Sequence, residues 1–389
     1  MSAGVAAASI MRPLELGAGR GISLVRGDGC LVTDGDGRTY IDLVSNYGVN
    51  ILGHGHPEIT AAITAQAALL TNAHQSFGSP VRNAFLAALH EVLPQQLSRA
   101  CFANSGTEAI EVALKLARVA TGRTRLVAMH RGYHGRTLGA LSVTSAREYR
   151  DPFAPLLDGI SHIGFDDIAA LEAVDETVAA VVVEPIQGEA GVRIPAAGYL
   201  AALRERCTAT GALLVTDEVQ TGLRTGRVLA AGHDGVVPDI VCLGKGIANG
   251  LPMAVTACTE AVAAGMPRGG HGSTFAGSPL VCAAGAATLA VLSRPGLHEQ
   301  VTASGARVVE RLRRLPAEVV RGVRGRGLMI AIELRRPAAP SIIEMQRRGV
   351  LVLPAGRTVI RLLPPLVIDD ATLDAALDTV VEVVTTLAA

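Results

Sequence analysis

Hydrophobic positions fall in short blocks along the first three hundred residues. ACFAN near 100, RLVAM near 125, AAVVVEP near 180, ALLVTDEV near 213 and DIVCLG near 240 are apolar runs of strand length. Helical patterns separate them, among them Thr107 to Ala120 and Gly198 to Thr208. Strand alternating with helix predicts an α/β fold, a parallel sheet covered on both faces. In such sheets ligands bind beyond the carboxyl ends of the strands, so each strand end is a place to look for chemistry. After about residue 290 the texture changes. A helix near 298–314 precedes strands near 319–334, 349–352 and 358–363. A final helix starts at Asp369 or Asp370, either a suitable N-cap, and runs to about Leu387. This predicts a smaller α+β domain. Near the start, LVRGDGCLVTDGDGRTYIDL reads as a hairpin with a DGDG turn that packs with that domain. The expected division is an N-terminal segment 1–52, a large domain 53–290 and a small domain 291–389.

Composition narrows the class. The 389 residues are 49% hydrophobic and 18% charged, which is globular. A formal net charge of +0 weighs against a nucleic-acid partner or a polybasic membrane surface. Cys30, Cys101, Cys207, Cys242, Cys258 and Cys282 form no CxxC pair, so neither a metal site nor a disulfide framework is expected. Most sit among apolar or small residues and read as buried thiols of a reducing compartment. MSAGVAAASIM lacks the basic start of a signal peptide, and no run reaches the roughly 18 apolar residues of a membrane span. A cytoplasmic protein is expected.

Lysine usage points to one position. Only two of the 35 basic residues are lysines, Lys115 and Lys245. Lys115 lies in a helical pattern, its ammonium expected in solvent. Lys245 sits between glycines at the end of a strand, in DIVCLGKGIANGLPM. A Schiff base needs a primary amine that can lose its proton, which a guanidinium cannot do.

The other strand ends add to this. In NSGT, Ser105, Gly106 and Thr107 open a helix; they suit a phosphate at its N-terminus, and equally a plain cap. HRGYHGRT supplies Tyr133, His134 and Arg136, either a stacking face for a planar ring or a loop aromatic over the core. VEPIQGEAGV carries Glu184 and Glu189, which can act as acid or base, pair an arginine, or sit in solvent. Asp217 ends ALLVTD, where a carboxylate needs a cationic partner; a protonated pyridine nitrogen is one, as in pyridoxal phosphate sites.

Taken together the chain resembles the class III pyridoxal phosphate-dependent aminotransferases of fold type I, in the acetylornithine and ornithine aminotransferase subgroup. The resemblance runs from about Gly29 to the C-terminus, through NILGHGHPEI, NSGTEA, YHGRT, VEPIQGEAGV, DEVQTG, GKGIANGLPM, HGSTFAGSP, VRGRGLM and RLLPPL. It implies a Schiff-base and proton-shuttling role for Lys245 and a pyridine-nitrogen pairing for Asp217. Gln220 is then placed at the ring hydroxyl, and Val219 on the ring face opposite Tyr133. Ser105, Gly106 and Thr107 are placed at the phosphate, with His134 and Glu184 in the same site. Thr274 is implied to reach the phosphate of a neighbouring subunit, hence a homodimer.

The resemblance also implies two substrate arginines. Arg361 takes the α-carboxylate of glutamate or 2-oxoglutarate, and Arg136 takes a distal carboxylate. Glu189 is implied to pair with Arg361 when the donor is an ω-amine, because an ω-amine has no carboxylate beside its reacting carbon. Tyr47 in SNYGVN resembles the tyrosine of ornithine enzymes and of those acting on carrier-linked lysine precursors. The expected reaction moves the terminal amine of N-acetylornithine to 2-oxoglutarate. Free ornithine, a lysine-type donor or a carrier-bound amino acid are alternatives, as is an epimerase or aminomutase on the same fold. Ile110, Ala276 and Ser278 depart from the family pattern, and DEVQTGLRTGR is one residue short of it.

Overall fold

The computed structural model describes Leu14 and residues 19–386; MSAGVAAASIM and the expected helix end at Leu387 lie outside them. The chain opens with an antiparallel meander, β1 (Leu24–Asp28), β2 (Leu31–Asp34) and β3 (Thr39–Asp42). The DGDG turn joins β2 to β3. Asp34 Oδ1 accepts the amides of Asp36 and Arg38 at 3.1 and 2.9 Å, and Gly37 takes the left-handed φ of 82° that the turn requires. A second turn at Gly29, with φ 53°, adds β1 to the expected hairpin.

The central sheet holds β4 (Arg99–Ala103), β5 (Arg125–Met129), β6 (Ile160–Ile163), β7 (Val178–Val183), β8 (Leu213–Asp217), β9 (Ile240–Leu243) and β10 (Ala254–Cys258). Their order is β4-β10-β9-β8-β7-β5-β6. Only β10 runs antiparallel to its neighbours. Every residue of β7 and β9 is buried, which is why these strands read as unbroken apolar runs. Val182 and Val215 face the helix Gly106–Thr121, while Val181 and Leu214 face Tyr199–Thr210. Each such fully buried side chain contributes roughly 1.5–3 kcal/mol.

Two strands lay outside the expected set. The edge strand β6, ISHI, mixes polar and apolar residues. The strand β10, AVTAC, merges into the apolar, glycine-containing stretch after Lys245.

The C-terminal region forms β11 (Val320–Arg326), β12 (Met329–Leu334), β13 (Val350–Leu351), β14 (Leu353–Pro354) and β15 (Val359–Leu362). Four of these make the sheet β11-β12-β15-β14, and β13 pairs in parallel with β3, Val350 against Ile41. The strand region expected near 319–334 is a hairpin with Gly327 at its turn, φ 53°. The last helix spans Asp370–Thr386. Five cysteines are buried and Cys101 is half-buried; all six are free.

Candidate active site

Strand β8 delivers Asp217 to its carboxyl end, 5% exposed. Its Oδ1 accepts the amide of Val219 at 3.0 Å, and its Oδ2 lies 2.8 Å from His134 Nδ1. Burial by itself lowers the imidazole. The hydrogen bond and charge of Asp217, with Glu184 behind, reverse this and hold His134 above its ordinary value. His134 Nε2 is buried without a partner among the described residues.

Glu184 follows β7 and accepts the amides of Tyr133 and Gly188 at 2.9 and 3.0 Å. Burial pushes its carboxyl up to about 7. The next loop is closed by paired backbone bonds between Gln187 and Arg193, both 3.0 Å, and carries Glu189. Glu189 Oε1 accepts from Arg361 Nη1 at 2.7 Å, and the same nitrogen donates to Gln220 Oε1 at 2.9 Å. Burial favours a neutral Glu189, but the Arg361 charge outweighs it and holds the carboxyl below its ordinary value. Arg361, on β15, is fully buried, and its Nε and Nη2 have no described partner.

Beyond β9, Gly244 is extended and Lys245 takes φ 46°, opening a short turn through Ala248. A left-handed lysine costs roughly 1–2 kcal/mol, so the surroundings must impose it. Asn249, at φ 41°, accepts the Leu52 amide at 2.8 Å and donates to the Gly53 carbonyl at 3.0 Å. A Cβ at Gly246 would come 2.9 Å from Ile51. The turn is thus clamped against 51–53. Burial lowers the Lys245 amine below the ordinary lysine value; Glu189 opposes this and Arg361 adds to it.

The helix Gly106–Thr121 aims its N-terminus at the same place. Ser105 is its N-cap, with the hydroxyl 3.4 Å from the Glu108 amide. The amides of Gly106 and Thr107 donate to no described residue. A Cβ on Gly106 would lie 2.6 Å from Val219 Cγ1, so glycine admits the helix to the cavity wall. These elements enclose a cavity of about 240 Å³.

Of the residues singled out in the sequence, the cavity brings together Gly106, Thr107, Tyr133, His134, Arg136, Glu184, Glu189, Asp217, Val219, Gln220 and Lys245, with Arg361 behind Glu189. Arg136 is exposed, its guanidinium 3.7 Å from the Tyr149 ring centre and 5.7 Å from that of Tyr133. Besides Arg361, three expected residues are not in the lining. The Ser105 hydroxyl is used as a cap. Tyr47 is 47% exposed, in a run of left-handed residues from Ser45. Thr274 is exposed on this chain. Lys115 is exposed, as its helical pattern indicates.

Sequence reasoning missed the His134–Asp217 pair, since nothing in either segment says they meet. It also missed Arg224, a fully buried arginine within the shortened DEVQTGLRTGR.

The geometry fits pyridoxal phosphate. Unpaired amides at a helix start suit a phosphate, Tyr133 and Val219 offer two apolar faces for a ring, and a buried carboxylate and a desolvated amine complete the donor set.

Comparison with known proteins agrees. The sequence profile of aminotransferase class III matches residues 18–384. The chain is 46% identical over 360 residues to a [LysW]-aminoadipate semialdehyde transaminase of Deinococcus radiodurans, covering 91% of this chain and 83% of that one. It is 43% identical over 361 residues to an acetylornithine aminotransferase of Methanopyrus kandleri, covering 92% of each. The fold is similar to that of an ornithine aminotransferase from Toxoplasma gondii with PLP at partial occupancy in its active site. The TM-score is 0.90 at 35% identity, over 94% of this chain and 90% of that one.

Proposed function

The chain belongs to the class III aminotransferases, and from that premise we propose that it moves the terminal amine of an ornithine-like donor to 2-oxoglutarate, with N-acetylornithine the reference donor. The products are a semialdehyde and glutamate. The observation that carries this reading is the pair at the cavity wall: a fully buried Arg361 held by Glu189 at 2.7 Å, with two of its nitrogens unpartnered.

Pyridoxal phosphate, the cofactor of this transaminase, supplies when bound an electron sink that weakens the carbon–hydrogen bond beside the donor nitrogen. Gly106, Thr107 and the Ser105 cap would hold its phosphate, and Tyr133, Val219, Gln220 and Glu184 would hold its ring. His134 holds the Asp217 carboxylate in place at 2.8 Å, where it would pair with the ring nitrogen of the bound cofactor. The Lys245 nitrogen, desolvated and so readily deprotonated, takes the proton from the donor carbon and returns it on the other side of the transfer. Glu189 neutralises Arg361 while an ω-amine is bound. Glutamate brings its own carboxylate, displaces Glu189 and forms a bidentate pair with the guanidinium. Arg136 holds the distal carboxylate and Tyr47 borders the donor's far end.

Thr274 serves the phosphate of a second copy, making the working unit a cytoplasmic homodimer. The exposed Phe77 and Phe275, 67% and 66% accessible, support such a partner. Residues 53–290 act as the cofactor domain, and the N-terminal segment ending at residue 52 packs with the small domain that begins at 291.

The test is a product assay. The cofactor-loaded protein is given 2-oxoglutarate with N-acetylornithine, ornithine or lysine, and glutamate and trapped semialdehyde are measured. N-acetylornithine is expected to give the highest kcat/KM, with both products in equal amounts. Conversion of an amino acid without any keto acid would replace this reading with a single-substrate reaction.

A further inference from the structure

Arg361 has a carboxylate to hold it; Arg136 has an aromatic ring. Among the described residues the one side-chain hydrogen bond of Arg136 runs from Nε to the Tyr133 hydroxyl, at 3.4 Å. Its Nη1 and Nη2 have no described partner. The guanidinium carbon lies 3.7 Å from the centre of the Tyr149 ring, and that distance fixes how the two groups meet. An edge-on approach would bring a guanidinium nitrogen, about 1.33 Å from its carbon, to roughly 2.4 Å from the ring, well inside contact distance. The guanidinium therefore lies face to face with the ring. Its N–H groups, all in its own plane, are left free along the edges.

Tyr149 is placed there by the backbone. It is half-buried in a single helical turn, Arg147–Arg150, and is not part of the catalytic cavity's lining. Three bonds stitch the segment before it to the loop that carries Tyr133 and Arg136. The Ser145 amide donates to the Gly132 carbonyl at 2.9 Å. The His134 amide donates to Thr144 Oγ1 at 2.9 Å, and that hydroxyl donates to the Gly135 carbonyl at 3.3 Å. The Tyr149 ring then meets Tyr133 edge to face, with centres 6.1 Å apart at 83°. Both rings flank one arginine, and Arg136 itself lines the catalytic cavity.

An unrestrained arginine loses many rotamers when it grips a carboxylate. Stacking removes much of that loss beforehand, because it uses the face of the guanidinium and spares the fork. The inference rests on the carboxylate role proposed for Arg136. We propose that Tyr149 is a positioning residue for substrate, its ring holding the Arg136 guanidinium flat at the cavity wall so that the free edge takes the distal carboxylate of donor and keto acid.

The test compares Tyr149→Leu, which removes the ring, with Tyr149→Phe, which keeps it, in the cofactor-loaded protein. Arg136→Gln is the control. Binding of glutarate, a dicarboxylate with no reacting nitrogen, is measured by calorimetry. Kinetics are measured with 2-oxoglutarate and either N-acetylornithine or N-acetylputrescine, the same amine without the carboxylate. Tyr149→Leu is expected to weaken glutarate about fivefold and to raise KM for N-acetylornithine and 2-oxoglutarate by a similar factor, with kcat within about twofold. Tyr149→Phe should bring both within about twofold of the unmodified protein. The KM of N-acetylputrescine should respond to neither. Unchanged or tighter glutarate binding in Tyr149→Leu, or an equal loss with N-acetylputrescine, overturns the positioning role. If Tyr149→Leu does not fold, Tyr149→Gln carries the same measurement. Weaker glutarate binding in Arg136→Gln but not in Tyr149→Leu leaves the arginine's role standing and removes only that of Tyr149. If Arg136→Gln binds glutarate as before, the carboxylate role of Arg136 fails and that of Tyr149 fails with it.

Discussion

Arg224 and Arg361 are both completely removed from water, and they are satisfied in opposite ways. Arg224 lies where three chain segments meet. Its Nη1 donates to the carbonyls of Pro364 and Leu328 at 2.7 and 3.4 Å, and its Nη2 to that of Gly48 at 3.4 Å. No described carboxylate forms an ion pair with it, and burial lowers it to about 9 against the pull of Asp42. Arg361 instead holds a side chain, Glu189, and keeps two nitrogens free inside the cavity wall. Backbone carbonyls cannot leave, so Arg224 is a strut. A glutamate on a loop can leave, so Arg361 is a receptor. Burial and charge are the same in the two regions; the partner decides the function.

That contrast breaks most visibly if Arg361→Ala behaves like a structural change. The expected result is a fall of roughly 10²–10³-fold in kcat/KM for glutamate, since the substrate carboxylate loses its buried bidentate partner, about 3–4 kcal/mol, whereas the Glu189 left behind is one-third exposed and can turn to solvent. Stability by urea unfolding should change far less. Arg224→Met should do the reverse. Three carbonyls lose their donor, costing about 3 kcal/mol of stability in the same unfolding measurement, while the glutamate half-reaction of the folded protein persists. Exchanged outcomes would refute the assignment of strut and receptor.

Glu218 sharpens the point with the opposite charge. Like Arg224 it is buried with neutral partners, the Ala231 amide at 2.9 Å and the Thr221 hydroxyl. Burial raises its carboxyl from 4.5 to about 7. A raised carboxyl stabilises the fold in its neutral form, so its contribution is complete below pH 4.5 and is lost as pH rises toward 7. Glu218→Gln stays neutral throughout. Relative to the unmodified protein it should gain up to about 3 kcal/mol between those limits. A stability difference that does not vary with pH would show that Glu218 is not buried as a neutral acid. The smallest effect is expected from Glu189→Gln. It should slow the ω-amine half-reaction about tenfold and leave the glutamate half-reaction unchanged, because only the first needs a counter-charge for Arg361. Equal losses in both halves would mean that Glu189 does not swing.

The two regions differed in how far they could be read from sequence. The strand ends were legible because each carries a chemical signature within a few residues: Asp217 after an apolar run, Lys245 between glycines, and small residues at the start of a helix. The interior strands β5, β7, β8 and β9 were legible as apolar runs because nearly all of their residues are buried. Arg224 was not, since its three carbonyl partners lie 104 to 176 positions away in the chain. The His134–Asp217 contact spans 83 positions and was hidden likewise. The edge strand β6 lacks an unbroken apolar run. Local patterns report burial and turn chemistry; they do not report which distant segments share a buried charge.

The most direct measurement is an absorbance titration of the purified, pyridoxal phosphate-loaded protein, one substrate at a time. N-acetylornithine and glutamate should each abolish the visible band of the bound cofactor, and 2-oxoglutarate should restore it in both cases. Absence of any such band with added cofactor, or a band that glutamate leaves untouched, would contradict the account of Lys245 and Arg361.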